Sequence, residues 1–144
     1  MGMNKTIIIG FVLTGLLLIL GLVYFVFNNN TVKVGTKSGA QIKVNDFFKQ
    51  STKVKDKSVD IMSNFKNGLY TSMSYSQTTS TFTLSFNAVD YSEFQVQRKA
   101  LEQQFLTILK ITEPDACKLK VEERNTPSPD PDINGKVFGL SFCN

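Results

Sequence analysis

Residues 81–94 read TFTLSFNAVDYSEF. In the first eight, Phe82, Leu84, Phe86 and Ala88 alternate with Thr81, Thr83, Ser85 and Asn87. A period of two puts the apolar set on a buried face and the hydroxyls on solvent, which is a strand. At Asp90 the period changes. Asp90-Tyr91-Ser92-Glu93 has the form of a capping box, in which Asp90 accepts from an early amide and Glu93 reaches back. Phe94, Leu101, Phe105 and Ile108 follow at helical spacing and form one apolar stripe, so a helix is predicted over 91–111. Gln97, Arg98, Glu102, Gln103 and Lys110 fall mainly off that stripe.

Outward from this junction, residues 69–76 (LYTSMSYS) alternate in the same way, with Leu69, Thr71, Met73 and Tyr75 on one face. The short polar connection Gln77–Ser80 makes a hairpin with the 81–89 strand. VDIM at 59–62 reads as a short strand. On the far side of the helix, Thr112-Glu-Pro-Asp115 opens one short turn, capped by Asp115, that delivers Cys117. Leu119 and Val121 suggest a strand. Residues 125–135 (NTPSPDPDING) hold three prolines and form a loop, because proline cannot join a sheet interior. Phe138, Leu140 and Phe142 give a last strand. The order strand, strand, helix, strand, strand implies an α+β domain over 59–144, an antiparallel sheet with one amphipathic helix across it. A core of that size is modest and marginal.

Residues 7–27, IIIGFVLTGLLLILGLVYFVF, are an apolar run of 21 with no charge. As a helix this is roughly 31 Å, one hydrocarbon core, and it predicts a transmembrane anchor behind a short cytoplasmic N-terminus at 1–6. The run ends Val-Phe-Asn-Asn-Asn, without the small-residue site of a cleaved signal peptide. Lys5 lies closest to the run, whereas Asn28–Asn30 separate Lys33, Lys37 and Lys43 from it. A bare lysine count would put the domain inside, but long C-terminal domains translocate largely regardless of charge. The expected topology is therefore N-terminus inside, domain outside the cytoplasmic membrane. Gly10, Thr14, Leu17 and Gly21 share a helical face, a small-xxx-small pattern that suits weak self-association of the anchor.

Between anchor and domain, residues 28–58 read as a basic tether. Lys33, Lys37, Lys43, Lys49, Lys53, Lys55 and Lys57 stand against Asp46 and Asp56, so the chain's net charge of +4 resides here. TVKV-GTKSG-AQIKV at 31–44 is a weaker reading of the same segment, as a hairpin. The lysines are candidate contacts for anionic lipid headgroups or acidic wall polymers. No arginine precedes Arg98, and Phe47 and Phe48 are the only interleaved aromatics, so no specific nucleic-acid binding is expected.

Cys117 and Cys143 are the only cysteines. Zinc requires four Cys or His ligands and the chain has no histidine. Two buried thiols or one disulfide remain, and an exported domain favours the disulfide, whose closed loop stabilises by about 3–4 kcal/mol. DACKLKV, a Pro/Asn/Gly loop and then GLSFC resemble the tail of a recurrent group of small single-pass proteins from bacteria of the candidate phyla radiation. The shared residues are Asp115, Ala116, Cys117 and Leu119, then Gly135, then Gly139 through Cys143. The anchor and preceding helix are similar too, so the resemblance covers most of the chain. The Pro-Asp-Pro-Asp loop departs from the family form. The resemblance implies a bacterial envelope setting and pairing of Cys117 with Cys143, and it implies no activity.

Absence of histidine excludes Ser/His/Asp triads, and no G-x-S-x-G elbow occurs. Glu122 and Glu123 are adjacent on a strand, point to opposite faces, and read as solvated residues rather than an acid/base couple. Asp130 and Asp132 flank Pro131 in a rigid loop, short of the six to eight ligands of a calcium site. No catalytic, metal or cofactor residue is assigned. The expected function is a membrane-anchored extracytoplasmic binding or scaffolding domain, a non-enzymatic part of an envelope assembly with a protein partner. Its polar sheet face and 125–135 loop are the contact surface. The alternative is a pilin-like subunit of a surface filament or secretion apparatus, which shares an apolar N-terminal helix and a C-terminal disulfide loop.

Overall fold

The computed structural model describes residues 15, 17–19, 30–49, 51, 53–55, 57–66 and 69–143. Gly15, Leu17, Leu18 and Ile19 are helical, and the three apolar side chains are exposed. The remainder of the predicted span 7–27, with Gly10, Thr14 and Gly21 of the association face, lies outside the described residues. Among the described residues no helix is long and apolar enough to cross a membrane. The chain divides into two units, Met1–Thr31 and Val32–Asn144.

In chain order the elements are β1 (Thr31–Gly35), β2 (Gln41–Asn45), a 3-10 turn (Phe47–Lys49), β3 (Lys53–Lys55), β4 (Ser58–Lys66), β5 (Leu69–Ser76) and β6 (Thr81–Phe86). Helix α1 (Tyr91–Leu109), the short helix α2 (Glu113–Ala116), β7 (Lys120–Asn125) and β8 (Val137–Phe138) follow. The junction at Asp90 forms as its residues require: the Glu93 amide donates to Asp90 Oδ1 at 2.8 Å. Glu93 Oε2 reaches back to the Val89 amide at 2.7 Å, closing the capping box one residue earlier than its usual form. Lys110 takes a left-handed conformation (φ 52°) and ends the helix, its amide bonded to the Leu106 carbonyl.

Strands β3 to β8 make one six-stranded sheet in sequence order, and β1 pairs β2 in a separate two-stranded sheet. The expected ββαββ antiparallel order is corrected at one junction. β6 and β7 are parallel, with Phe82 opposite Val121, Leu84 opposite Glu123 and Phe86 opposite Asn125, while the other pairs of the sheet are antiparallel. A parallel pair needs a crossover of a dozen residues or more, and the chain from Asn87 to Leu119, carrying α1, supplies it. β4 is also longer than VDIM, because a register shift between Asp60 and Met62 lets the strand continue to Lys66. The last strand is shorter than expected: β8 stops at Phe138, and the chain turns so that the Cys143 amide meets the Leu140 carbonyl at 3.1 Å.

Val59 and Ile61 of β4, Met73 and Tyr75 of β5, and Phe82, Leu84 and Phe86 of β6 are buried with Phe94, Leu101, Phe105 and Leu109 of α1. Ile108, expected on the stripe, is only partly buried and Leu109 takes the terminal place. The phase of the helix also buries Gln97 and Glu102, which were expected off the stripe. The opposite sheet face carries Ser72, Ser74 and Ser76 of β5 beside Ser85, Thr83 and Thr81 of β6.

The larger correction concerns 28–58. The segment is not a structureless tether: the hairpin forms, and Val34, Val44 and Phe47 belong to the core. Phe47 is 0% exposed, and its ring meets Tyr75 and Phe82 edge-on at centroid distances of 5.2 and 5.6 Å. Asn45 Nδ2 donates to the carbonyl of Ile108 at 3.0 Å, tying β2 to the end of α1. The sequence conceals this because Val34 and Val44 each follow an exposed lysine and Phe47 follows Asp46, leaving no sustained apolar pattern.

Two measurements check this packing. Phe47→Ala removes an aromatic anchor and is expected to lower unfolding free energy by about 3–5 kcal/mol in urea; a spacer would give no change. Gln97 is buried with neither amide atom hydrogen-bonded, so Gln97→Met is expected to stabilise by about 1–2 kcal/mol. A destabilised variant would mean that the amide has a partner in solution.

Candidate functional site

Helix α1 places Arg98 and Glu102 one turn apart on one side. On β7 the parity that puts Val121 beside Phe82 puts Glu123 beside Leu84, on the core face. Glu122 therefore faces outward, where Arg124 binds it at 2.6 Å. The two glutamates do point to opposite faces, but the expectation that both are solvated is corrected, since Glu123 is fully buried. The turn after β8 brings Gly139 and Ser141 to the same place.

The contacts form one closed cluster. Arg98 Nε donates to Glu123 Oε2 at 2.6 Å and lies 3.6 Å from Glu102 Oε1. Arg98 Nη2 donates to the carbonyl of Gly139. Glu102 accepts from the Ser141 amide through Oε1 and from the Ser141 hydroxyl through Oε2 at 2.5 Å. The guanidinium carbon stands 5.7 Å from the centre of the Phe94 ring and 5.5 Å from that of Phe138, a cation–π arrangement on both sides.

Burial, and then the Glu102 carboxylate beside it, push the Glu123 carboxyl up to about 8, and Arg98 only partly offsets them. Glu123 Oε1 accepts no hydrogen bond. A proton on Oε1, donated toward Glu102, satisfies that oxygen and leaves the cluster with one cation and one negative charge. Such pairs shift because two adjacent carboxyls do not both ionise readily in a dry site.

A groove of about 540 Å³ runs beside the cluster, bounded by Arg98, Lys99, Gln103, Ser141 and Phe142, with Glu102 at its base. General acid–base work needs a carboxyl within hydrogen-bond reach of a substrate proton. Glu123 does not line the groove, and both Glu102 oxygens are taken by Ser141. The arrangement acts as a clamp, holding residues 139–143 against α1 and β7. The Cys117–Cys143 disulfide, expected from the sequence, secures the same segment to the end of α2 (Cα–Cα 5.5 Å).

The remaining sequence-derived candidates are dispersed. Asp115 does not cap α2 with its side chain: it pairs with Lys118 Nζ at 2.7 Å and accepts from Thr112 Oγ1 at 3.1 Å, contacts that hold its carboxyl below the ordinary range. Asp130 accepts from the amides of Tyr91 at 2.7 Å and Asp132 at 2.8 Å, so its oxygens serve the loop and the entry to α1. Ser128 Oγ donates to the Val89 carbonyl and Ile133 is buried, so the 125–135 loop is docked rather than free.

Those of the seven lysines whose side chains are described stand on separate elements. Lys33 and Lys43 are exposed on the β1–β2 hairpin, Lys37 and Lys57 on turns, and Lys49 lies 3.5 Å from Asp46. The side chains of Lys53 and Lys55, on β3, lie outside the description. Sequence reasoning missed Arg98, Glu102 and Glu123. The available signal was the parity from Val121 through Glu123, and an i,i+4 Arg–Glu pair one step from Leu101. Comparison with protein families, curated proteins and solved structures gives no match to this chain.

The clamp predicts a pH dependence. Folded Glu123 keeps its proton to about pH 8, while the unfolded chain releases it near the ordinary value of 4.5. The folded state therefore binds more protons inside that window. The stabilisation is full below it and is lost as pH rises through it, by at most about 1.4 kcal/mol per pH unit. Urea midpoints should fall across the window, and Glu123→Gln should flatten the fall. An equal slope in the variant would assign the effect to another group. Arg98→Met should destabilise by about 3–5 kcal/mol, because it leaves the cluster's negative charge buried without its cation.

Proposed function

We propose that the protein is a membrane-anchored extracytoplasmic domain that binds or scaffolds other proteins, a non-enzymatic component of a bacterial envelope assembly. The observation that carries this reading is the Cys117–Cys143 bond. Structural disulfides persist in oxidising compartments and are rare in the cytosol. The uncharged run 7–27 supplies an anchor that delivers the domain to such a compartment. The tail's resemblance to single-pass proteins of candidate phyla radiation bacteria agrees with this setting.

The contact surface in this reading is the hydroxyl face of the sheet together with the outer side of the 125–135 loop. The face has short side chains in regular register, bordered by Asp60, Lys120, Glu122 and Arg124. The loop presents Pro127, Pro129, Pro131 and Asp132 outward from a backbone fixed by Ser128, Asp130 and Ile133. A filament subunit of the pilin kind would carry its first helix into the domain. Here a turn at Asn30 and β1 from Thr31 take that place, which favours the binding domain.

The thiol state in intact cells tests the reading. A membrane-impermeant maleimide should label the protein only after reduction. Labelling from outside without reduction would mean free external thiols. Reactivity seen only after lysis would put the domain in the cytoplasm and end the envelope reading.

A further inference from the structure

We infer that the cleft between the β1–β2 turn and the β5–β6 turn is a binding site for an anionic saccharide. The cleft has a volume of about 510 Å³, within the range of small-ligand sites.

Its walls are set by backbone. Gly35, at the end of β1, packs on the β5–β6 turn so closely that a Cβ there would lie 3.1 Å from Ser80 Oγ. Thr36 bridges Leu119, and the Lys37 amide donates to the Lys118 carbonyl at 2.8 Å, locking the hairpin to the entry of β7. The Gln77 amide donates to the Lys57 carbonyl at 2.9 Å and fixes the other wall. A cleft held this way is preorganised, so a ligand does not have to order it.

The lining selects the ligand chemistry. Gln41 and Gln77 each offer an amide that both donates and accepts, and Ser80 adds a hydroxyl. Vicinal hydroxyls of a sugar ring match that alternation. Phe48, half-buried, gives an apolar patch for the C–H side of a ring, and the buried Tyr75 backs it at a ring-centroid distance of 6.3 Å. Lys33 and Lys120 stand at the margin, each exposed and neither in an ion pair among the described residues. No acidic side chain lines the cleft among the described residues. Two unopposed ammonium groups over polar walls call for a ligand with negative charge as well as hydroxyls. Tyr75 is 5% exposed and no arginine is present, so the stacking platform of a single-stranded nucleic acid is missing.

The inference deepens the binding role proposed above and rests on it for where the ligand is met, but its test needs no cell. The full chain in detergent micelles is titrated with trigalacturonate, phosphorylated maltotriose, neutral maltotriose, inorganic polyphosphate and oligo(dT). Millimolar or tighter binding of an acidic sugar is expected, with preference for the first identifying a uronate and for the second a sugar phosphate. Lys33→Glu and Lys120→Glu should each weaken it about tenfold or more, the equivalent of about 1.4 kcal/mol. Gln41→Ala and Gln77→Ala should weaken it several-fold. Lys136→Glu, away from the cleft, should leave it unchanged. All these side chains are exposed, and thermal melts confirm that the variants fold. Polyphosphate or oligo(dT) binding as tightly as the acidic sugars overturns the inference, as does no binding, or binding indifferent to Lys33 and Lys120. An external disulfide without saccharide binding would sink this inference and leave the envelope reading intact.

Discussion

Arg98 ties together α1, β7 and the tail that follows β8. One guanidinium, part-covered by Phe94 and Phe138, engages Glu123 on β7, the Gly139 carbonyl in the tail and, one turn along its own helix, Glu102. Glu102 in turn binds both polar groups of Ser141. A buried ion cluster is weak evidence for net stability, because desolvation of the charges offsets their attraction. Its value here is positional. β8 has only two residues, and a strand that short cannot fix the chain beyond it. The cluster and the disulfide do so together, and Leu140 joins the core.

That division of labour explains what the sequence disclosed. The strand at 81–86, the capping box at Asp90 and the helix are local devices, each encoded by residues within four positions of one another. They were legible, as was β5. The parallel join of β6 to β7 was not, because strand direction depends on where α1 crosses the sheet, and no local pattern encodes that. The buried carboxyls were half legible. Alternation from Val121 places Glu123 inside, but hydrophobicity assigns a glutamate to solvent, and the partner that makes burial tolerable is 25 residues away on α1. Of the cleft, Lys33 was marked beforehand as a candidate anion contact, and Lys120 was not. Its walls come from three separate turns brought together by the Thr36–Leu119 bridge.

The segment 28–58 misled for a related reason. A hairpin with one buried residue per strand has no run long enough to stand out, and seven lysines dominate its composition. Yet Phe47 completes an aromatic set with Tyr75, Phe82 and Phe105. A domain of this size has little core to spare. Recruiting Val34, Val44 and Phe47 from upstream adds about 1.5–3 kcal/mol of hydrophobic stabilisation for each side chain buried.

This placement changes what the positive charge can do. Lysines on a flexible spacer would act as a cloud, attracting any anionic surface and losing most of that attraction to salt. Lys33 and Lys43 instead stand on a hairpin whose inner residues are in the core, and Lys120 is on the first residue of β7. Their separations are set by the fold. Charges at fixed separations can discriminate among anions by geometry, because a ligand must match positions as well as sign. The same hairpin that enlarges the core therefore converts a general electrostatic property of the sequence into a shaped one, with Gly35 allowing the close approach that makes the cleft.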